Sequence, residues 1–323
     1  MRSLLRRPVI FAFVCLVALG CAQETEIIAA QPTIPATPDG TVMAVAQNLA
    51  DNHPEILWEA LPASYRTDIT ELTQLFATKM DPEVYDRAMA ITLSMVDVIQ
   101  AKQSIILASE TMAGTGVDVA AVEARMTQTL QIARTFFSSE ISTLTGLGAL
   151  DWQQYLAGTV SQLMTQADAI EAEEGQDPFL LFDSVEIEVL EQTSNTARLR
   201  ITVPDEEPEE VTLTLIEDRW VPAELAEQWD AKVMEARTSL EEITPEKIQE
   251  MKGQAMFGFT MAEGFVQQLS MIESSEEFDA TMGPMIAGLM GNIGNFMPGA
   301  DETDETEETD ETDETEEPEP DTP

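Results

Sequence analysis

Residues 185–221 read VEIEVLEQTSNTARLRITVPDEEPEEVTLTLIEDRWV, and this stretch decides the fold class. Apolar residues recur at every second position in three runs, one around Ile187, one around Ile201 and one around Leu213. Polar turns separate the runs, and a period of two is typical of strands with one buried face. The stretch therefore predicts an antiparallel β-meander of three to four strands, in which Ile201 points into the core and Thr202 points outward.

The residues that alternate with the apolar ones carry opposite charges on the first two predicted strands. Glu186 and Glu188 lie on the first strand, whereas Arg198 and Arg200 lie on the second. Opposite charges that face each other across antiparallel strands stabilise one register. We therefore expect Glu–Arg pairs on the exposed face of the meander.

On both sides of the meander the apolar residues adopt the period of a helix. Four long segments begin at residues that commonly cap helices, namely Asp81, Asp118, Asp151 and Thr244. Two shorter helical patterns precede them. One begins near Thr41, and the other begins at Ile56, after a break at Asp51-Asn52-His53-Pro54. Short connections between long helices favour antiparallel packing. The chain is thus predicted to be α+β and predominantly helical, with long antiparallel helices plus the meander. The predicted ends of the first three long segments are Gly114, Gly146 and Gly175.

Composition divides the chain into six predicted regions. The regions are a signal peptide at 1–20, a flexible tether at 21–39, a helical region at 40–180, the β-meander at 181–222, C-terminal helices at 223–298, Met/Gly-rich at their end, and a disordered acidic tail at 299–323.

The first 21 residues have the pattern of an export signal. Three arginines precede an apolar run at Val9–Leu19, which is too short to span a bilayer. The run ends in Ala18-Leu19-Gly20-Cys21, which resembles the lipobox of bacterial lipoproteins. That resemblance implies cleavage before Cys21, lipidation of its sulfur and anchoring in the cell envelope, facing the periplasm, and Ala22 favours the outer membrane. The alternatives are an ordinary signal peptide cut nearby and twin-arginine export through Arg6-Arg7.

Cysteine and histidine counts exclude several kinds of chemistry. Cys15 is the only other cysteine and lies in the signal core, so the mature chain has no disulfide, no Cys-based zinc site and no cysteine nucleophile. His53 is the only histidine, and it precedes Pro54 at a helix break, where a loop or capping role is expected. Signature motifs of nucleotide-binding proteins and serine hydrolases are absent from the sequence.

The charge balance restricts the partners. With 60 acidic and 16 basic residues, the net charge is −44, which repels nucleic acid and anionic lipid head groups. We expect no nucleic-acid partner, and we expect cationic envelope partners or divalent cations instead. The acidic clusters at 171–174 and 206–210 and in the tail are interpreted as solvated surfaces.

Two pieces of the chain resemble the cone-shaped superfamily of nuclear transport factor two. They are residues 40–65, with Asp51-Asn52-His53-Pro54 and Trp58, and residues 185–221, which close on Glu217-Asp218-Arg219-Trp220-Val221. The resemblance implies a curved sheet with a pocket between meander and helices, and the superfamily contains both enzymes and binding proteins. The whole chain also resembles uncharacterised lipoproteins of planctomycete-like bacteria, which implies no activity.

Methionine is concentrated near the C-terminal end of the chain. Eight of the 17 methionines lie between Met251 and Met297. Thioethers bind Cu(I), but methionine also fills cores and adaptable apolar surfaces, so a copper site, a core and a groove for a partner or membrane all remain open. We assign no catalytic residue, metal ligand or cofactor. The function hypothesis is a non-enzymatic, lipid-anchored binding or scaffolding component, and the alternative is a small-molecule-binding or enzymatic cone.

The lipid anchor gives a direct prediction. Replacing Cys21 with serine removes the sulfur that carries the acyl chains, and about 0.8 kcal/mol is lost for each CH₂ no longer buried in the membrane. Cys21→Ser should therefore move the protein from the membrane pellet to the soluble fraction in cell fractionation. A mutant protein that still sediments with membranes after a high-salt wash contradicts the lipoprotein interpretation.

Overall fold

The computed structural model describes residues 33–113, 119–172, 184–204 and 207–284. The protein is α+β and predominantly helical, as predicted, with a four-stranded antiparallel sheet that lies in sequence between two sets of helices. The N-terminal helices are α1 Pro38–Ala50, α2 Ile56–Ala60, α3 Ala63–Lys79, α4 Pro82–Leu107, α5 Glu110–Ala113, α6 Val119–Phe137, α7 Leu144–Gly148, α8 Trp152–Tyr155 and α9 Ser161–Ala172. The strands are β1 Glu186–Gln192, β2 Thr196–Thr202, β3 Glu209–Ile216 and β4 Arg219–Pro222. The C-terminal helices are α10 Ala223–Glu241, α11 Pro245–Met271 and α12 at 275–284.

The strands form the predicted meander in the order β1-β2-β3-β4. Val189 pairs with Leu199 across β1 and β2, and Leu199 pairs with Val211 across β2 and β3. A bulge between Val189 and Glu191 shifts the register of β1. The bulge was not predicted, and it restores Glu191 to the side of the sheet that carries the arginines.

The inner face of the sheet is filled with apolar side chains. Ala197, Leu199, Leu213 and Trp220 form a buried cluster against which Val42 of α1 packs. Leu199 is fully buried, which confirms the alternation in the middle of β2. The alternation does not extend to the end of this strand. Ile201 was predicted to point into the core and Thr202 outward, but both are half-buried.

The helix that covers the sheet begins earlier than predicted. Thr37 caps α1 by accepting a hydrogen bond from Gly40, and Pro38 is the first helical residue. The Trp220 indole donates to the carbonyl of Ala36 at 2.8 Å. The last residues of the predicted tether at 21–39 are therefore part of the folded body, because they bind the sheet. Residues 1–32 lie outside the described part.

The outer face carries the predicted charge pairs. Arg198 forms ion pairs with Glu191 and Glu210, at 2.7 and 3.1 Å. Arg200 forms ion pairs with Glu188 and Glu210, at 2.8 and 3.0 Å. Each arginine thus links a carboxylate on β1 to the one on β3, and the three strands share one alternating row of charges.

Three of the predicted helix caps form as expected. The Asp81 carboxylate accepts from the amide of Val84 at 3.1 Å, and the Asp151 carboxylate accepts from two amides of α8. The Thr244 hydroxyl accepts from the amide of Lys247 at 3.3 Å. The fourth predicted cap, at residue 118, and the predicted ends at residues 114 and 175 lie outside the described residues.

Two helical features differ from the sequence-based expectation. Helix α3 was not predicted, since its N-cap position is Pro62, which offers no side-chain hydrogen bond. The helix predicted to run to Gly146 ends at Phe137, and a separate helix, α7, begins at Leu144. The division follows from Ser139 and Thr143, which adopt extended backbone angles, and the Thr143 hydroxyl caps α7. The segment after Asp151 is continuous as predicted, but residues 156–160 form a π-helical turn.

Helix α4 is the centre of the helical part. Among the described residues it is the helix long and apolar enough to cross a membrane by length and composition, with a mean hydropathy of 1.3. It packs against α6 on one side and α11 on another. Arg134 of α6 pairs with Asp97 of α4, whereas Gln103 of α4 binds Thr127 of α6, so these two helices are antiparallel as predicted.

Leu199 provides a test of the sheet core. Truncation to alanine leaves a cavity at a fully buried site, and we expect Leu199→Ala to lower the free energy of unfolding by about 2–5 kcal/mol. Val189→Ala is the matched control, because Val189 lies directly opposite on β1 and is 40% exposed. Urea unfolding followed by circular dichroism measures both. Both residues lie on the same face of the sheet, so equal losses for the two variants would show that Leu199 is no better packed than the exposed residue beside it on β1.

Candidate functional site

The candidate site is one face of α11, and the opposite face of that helix fixes its orientation. Thr244 caps the helix, and Pro245 occupies the first turn, where its missing N–H costs nothing. Val266 and Leu269 are buried on the inner side, and Leu269 belongs to a cluster that Met95 and Val98 of α4 pack against. The inner side of α11 is therefore committed to the protein's own core.

Ion pairs fix α11 along α4 at its N-terminal end. The Lys252 ammonium lies 2.9 Å from the Asp81 carboxylate and 2.7 Å from the Glu83 carboxylate. The hydrogen bond from Lys252 lowers the pKa of Asp81. Asp81 thereby caps α4 and binds α11 with the same carboxylate.

A two-pronged contact joins the middle of the two helices. Arg87 donates from Nε to Glu263 Oε1 at 2.8 Å and from a terminal nitrogen to Oε2 at 2.7 Å. The same guanidinium contacts the sulfur of Met256 and lies 5.6 Å from the centre of the Phe259 ring. The hydrogen bond from Arg87 lowers the pKa of Glu263.

A third contact closes the C-terminal end. The Lys102 ammonium donates to the carbonyl of Ile272 at 2.7 Å, just beyond the last turn of α11. The contacts advance in the same direction along both helices, so α4 and α11 are parallel. This differs from the antiparallel packing expected for long helices, because α10 returns the chain to the end at which α4 begins, where Lys79 donates to the carbonyl of Glu241.

The side of α11 that faces away from α4 is exposed and carries three large apolar side chains. Phe257 is 70% exposed, Met261 64% and Met271 60%. We call this side the outer face of α11. It comprises Glu250, Gln254, Phe257, Met261, Gly264, Gln268 and Met271, all of them exposed.

Three glycines lie on or beside the outer face. A Cβ atom at Gly253, Gly258 or Gly264 would meet nothing within 4 Å. A glycine inside a helix is less favourable than alanine by about 1 kcal/mol, so the three substitutions of alanine for glycine are sterically open and stabilising for an isolated helix. Packing within the described part of the chain therefore gives no reason for these glycines.

After Glu250 the outer face is uncharged, in contrast to the chain as a whole. Between residues 251 and 271 the charged residues are Lys252 and Glu263, and both are paired with α4. An uncharged apolar stripe on a chain of net charge −44 is a local departure from the composition of the surface. Exposed apolar patches of this kind mark contact surfaces.

The methionine-rich segment separates into two roles. Met282 is 1% exposed and packs with Ile272 and Phe278, so it belongs to the core. Met261 and Met271 are exposed but lie ten residues apart on one helix, a rise of about 15 Å, which is too far for one copper ion. Met285 and the methionines after it lie outside the described residues.

The remaining sequence-selected residues do not converge on a reactive centre. His53 is a half-exposed loop residue whose Nδ1 lies 3.0 Å from Glu55 Oε1. Glu210 is engaged by the two sheet arginines, and Cys21 lies outside the described part of the chain. Within the ranges given above, no group of three or more His, Cys, Asp or Glu side chains is placed to bind a metal ion.

An open depression lies beside α3 and is lined by residues of α2 and α3. It measures ≈ 380 Å³, and its charged lining residues are Arg66 and Glu71. Arg66 lies 3.9 Å from Glu59, and Glu71 binds Arg237 of α10 at 2.8 Å. These charges serve contacts between elements, and the depression has no enclosed wall against which a substrate could be oriented.

Comparison with known proteins gives no relative. No family model matches the chain, and no curated protein or solved structure matches it. The resemblances proposed from the sequence therefore stay predictions.

The Arg87–Glu263 contact predicts a pH dependence. Because the pKa of Glu263 is lowered in the folded state, its contribution to stability is complete above the ordinary value of about 4.3 and is lost as the pH falls through the folded value. Glu263→Gln should lower the melting temperature at pH 7 and converge with the wild type in acid. Glu250→Gln removes the same charge from the outer face and is the control. A difference between Glu263→Gln and wild type that persists at pH 2 is contrary to this account.

Proposed function

We propose that the protein is an exported, lipid-anchored component of the cell envelope that acts by binding or scaffolding, without enzymatic activity, through the outer face of α11. The observation that carries the proposal is the exposure of Phe257, Met261 and Met271 on one side of a helix that carries no charge after Glu250. Burying each of these side chains against a partner would contribute roughly 1.5–3 kcal/mol of free energy relative to leaving it in water.

The rigidity of the surface supports this proposal. Lys252, Arg87 and Lys102 hold α11 against α4 at three levels, so the outer face is presented in one orientation. A surface that is already ordered loses less conformational entropy on binding than a mobile segment. A helix fixed on its inner side and apolar on its outer side is suited to a helical or grooved partner.

The alternative is a small-molecule-binding or enzymatic cone with a pocket between the meander and the helices. A cone of that kind needs an open inner face with convergent polar groups. Leu199, Leu213 and Trp220 instead fill the inner face against α1. This filling favours binding through the outer surface over chemistry in an interior site.

Lipidation at Cys21 is consistent with the position of the first described residues. From Cys21 to Thr33 there are 12 residues, which span at most about 40 Å when extended. The chain then joins the sheet through Ala36. Under this proposal the folded body stays within that distance of the bilayer, and its acidic surface faces cationic partners or divalent cations of the envelope.

Photocrosslinking tests whether the outer face contacts another molecule. A benzophenone amino acid at position 257 in the anchored protein should give a crosslinked adduct in intact cells. The same probe at Met234 of α10 is the control, because Met234 is 67% exposed but lies on another helix. An adduct from position 257 and little from position 234 supports the proposal, whereas absence of any adduct from position 257 rejects it.

A further inference from the structure

We propose that the open edge of strand β1 binds an extended segment of another protein in which basic residues alternate with apolar ones. The segment adds to the sheet as a fifth strand. The inference goes beyond the proposed function, because it places a second contact surface on the sheet, on a different element from α11. It also gives the chemistry of the partner and the way in which the partner is held.

The sheet has one long edge with which no described strand pairs. In the order β1-β2-β3-β4, strands β1 and β4 lie at the two edges. Strand β4 has four residues and continues directly into α10. Strand β1 has seven residues, and in the part of the chain that the structure describes it pairs with β2 alone. Alternate residues of an edge strand point their N–H and C=O groups away from the sheet, so β1 offers a template for a further strand.

One face of β1 carries three acidic side chains. Glu188 and Glu191 each form an ion pair with an arginine of β2, and both remain exposed. Glu186 lies on the same face, is exposed and forms no ion pair with any described residue. Because an ionised carboxylate has about four lone-pair sites for hydrogen-bond donors, the three glutamates can accept further donors on the open side of β1.

The charges on this face alternate in sign from strand to strand. In one row Glu188 of β1, Arg200 of β2 and Glu210 of β3 are joined by ion pairs of 2.8 and 3.0 Å. Beyond β1 the alternation continues with a cation. A strand added there would lie about 4.8 Å away, and opposite charges on neighbouring strands stabilise the pairing. Lysine or arginine at every second position would therefore lie beside the glutamates of β1.

The opposite face of β1 indicates which residues belong between the cations. Ile187 packs against the buried cluster of the sheet. Val189 lies opposite Leu199, but Val189 is exposed whereas Leu199 is fully buried. The apolar layer is thus incompletely covered at β1. Successive side chains of a strand point to opposite faces, so one segment supplies cations to one face and apolar side chains that cover Val189 to the other.

The chain itself has no segment with these cations. Of its 16 basic residues, three are Arg2, Arg6 and Arg7 in the predicted signal peptide, and the other 13 lie within the described ranges. The segment that leads into β1, residues 173–183, contains four acidic residues and no basic one. The C-terminal residues 285–323 also contain no basic residue. The cationic strand therefore comes from another molecule.

A second copy of this chain is a poor match for the edge. Antiparallel pairing of β1 with β1 sets Glu186, Glu188 and Glu191 of one copy beside the same residues of the other. Like charges on neighbouring strands destabilise the pairing, and charged residues on an edge strand protect proteins against such self-association. The same three glutamates thus exclude a second copy and select a cationic partner.

Titration of the full-length protein in non-ionic detergent with synthetic peptides tests the inference. The probe is a blocked peptide of alternating lysine and valine, seven residues long like β1. Two modified probes carry methyl groups on the backbone nitrogens of every lysine or of every valine, so both keep the charge. Only one of these two sets of N–H groups faces β1 in a ladder. We expect one modified peptide to bind about as well as the probe, and the other about tenfold more weakly or less.

A charge reversal locates the binding surface. Glu186→Lys breaks no ion pair of the described structure, and it should weaken binding of the unmodified probe about fivefold or more, because it places like charges on neighbouring strands. Glu227→Lys in α10 is the matched control, since Glu227 is also exposed and the net charge changes equally. This control should leave the affinity within about twofold at 0.15 M salt, because distant exposed charges are screened. Circular dichroism checks that both variants are folded.

Amide hydrogen exchange identifies what covers the edge. In the free protein, the β1 amides that point away from β2 should exchange rapidly, and the probe should protect them. Protection without the probe that rises with protein concentration assigns the edge to a second copy. Protection without the probe at every concentration assigns the edge to residues of the same chain. Either result overturns the inference.

The peptide experiments have equally clear contrary results. Equal binding of the two methylated peptides would show attraction by charge alone, and it overturns the added strand. Equal effects of Glu186→Lys and Glu227→Lys, or no saturable binding of the unmodified probe, also overturn it. The photocrosslink from position 257 does not involve β1, so the proposed function stands or fails separately.

Discussion

The scarcity of positive charge is the constraint on which the arrangement of this protein depends. The chain has 16 basic and 60 acidic residues, so carboxylates are in large excess over cations. In the folded state the cations mainly form contacts between helices and strands. Arg87 and Lys252 join α4 to α11, Arg237 joins α10 to α3, and Arg219 donates to the Glu59 carbonyl of α2. An exposed ion pair is worth only about 0–1 kcal/mol, so these links select orientation more than they supply stability. The stability comes from the apolar clusters that the links align.

This use of cations explains why α11 has two different sides. The lysine and the glutamate within its last 21 residues both face α4, so the side that faces solvent carries no charge after Glu250. A helix attached by apolar contacts alone could rotate to bury Phe257 and Met261. The three polar contacts at successive levels prevent that rotation, because each would be broken by a turn of the helix about its axis. The exposed stripe is thus a consequence of how the inner side is held.

Much of the fold was predictable from local patterns, and the candidate site was not. Alternation around Leu199 predicted the sheet, and the caps Asp81 and Thr244 predicted where α4 and α11 begin, because each of these signals is contained in a few neighbouring residues. Helix α3 was missed since proline replaces a capping side chain. The sequence left a groove for a partner or membrane open among the methionines from Met251 to Met297, but it did not single out the outer face, because its seven positions mix methionine, glutamine and glycine and have no strong hydrophobic period. Its significance becomes visible only when the packing of the inner side shows which face remains.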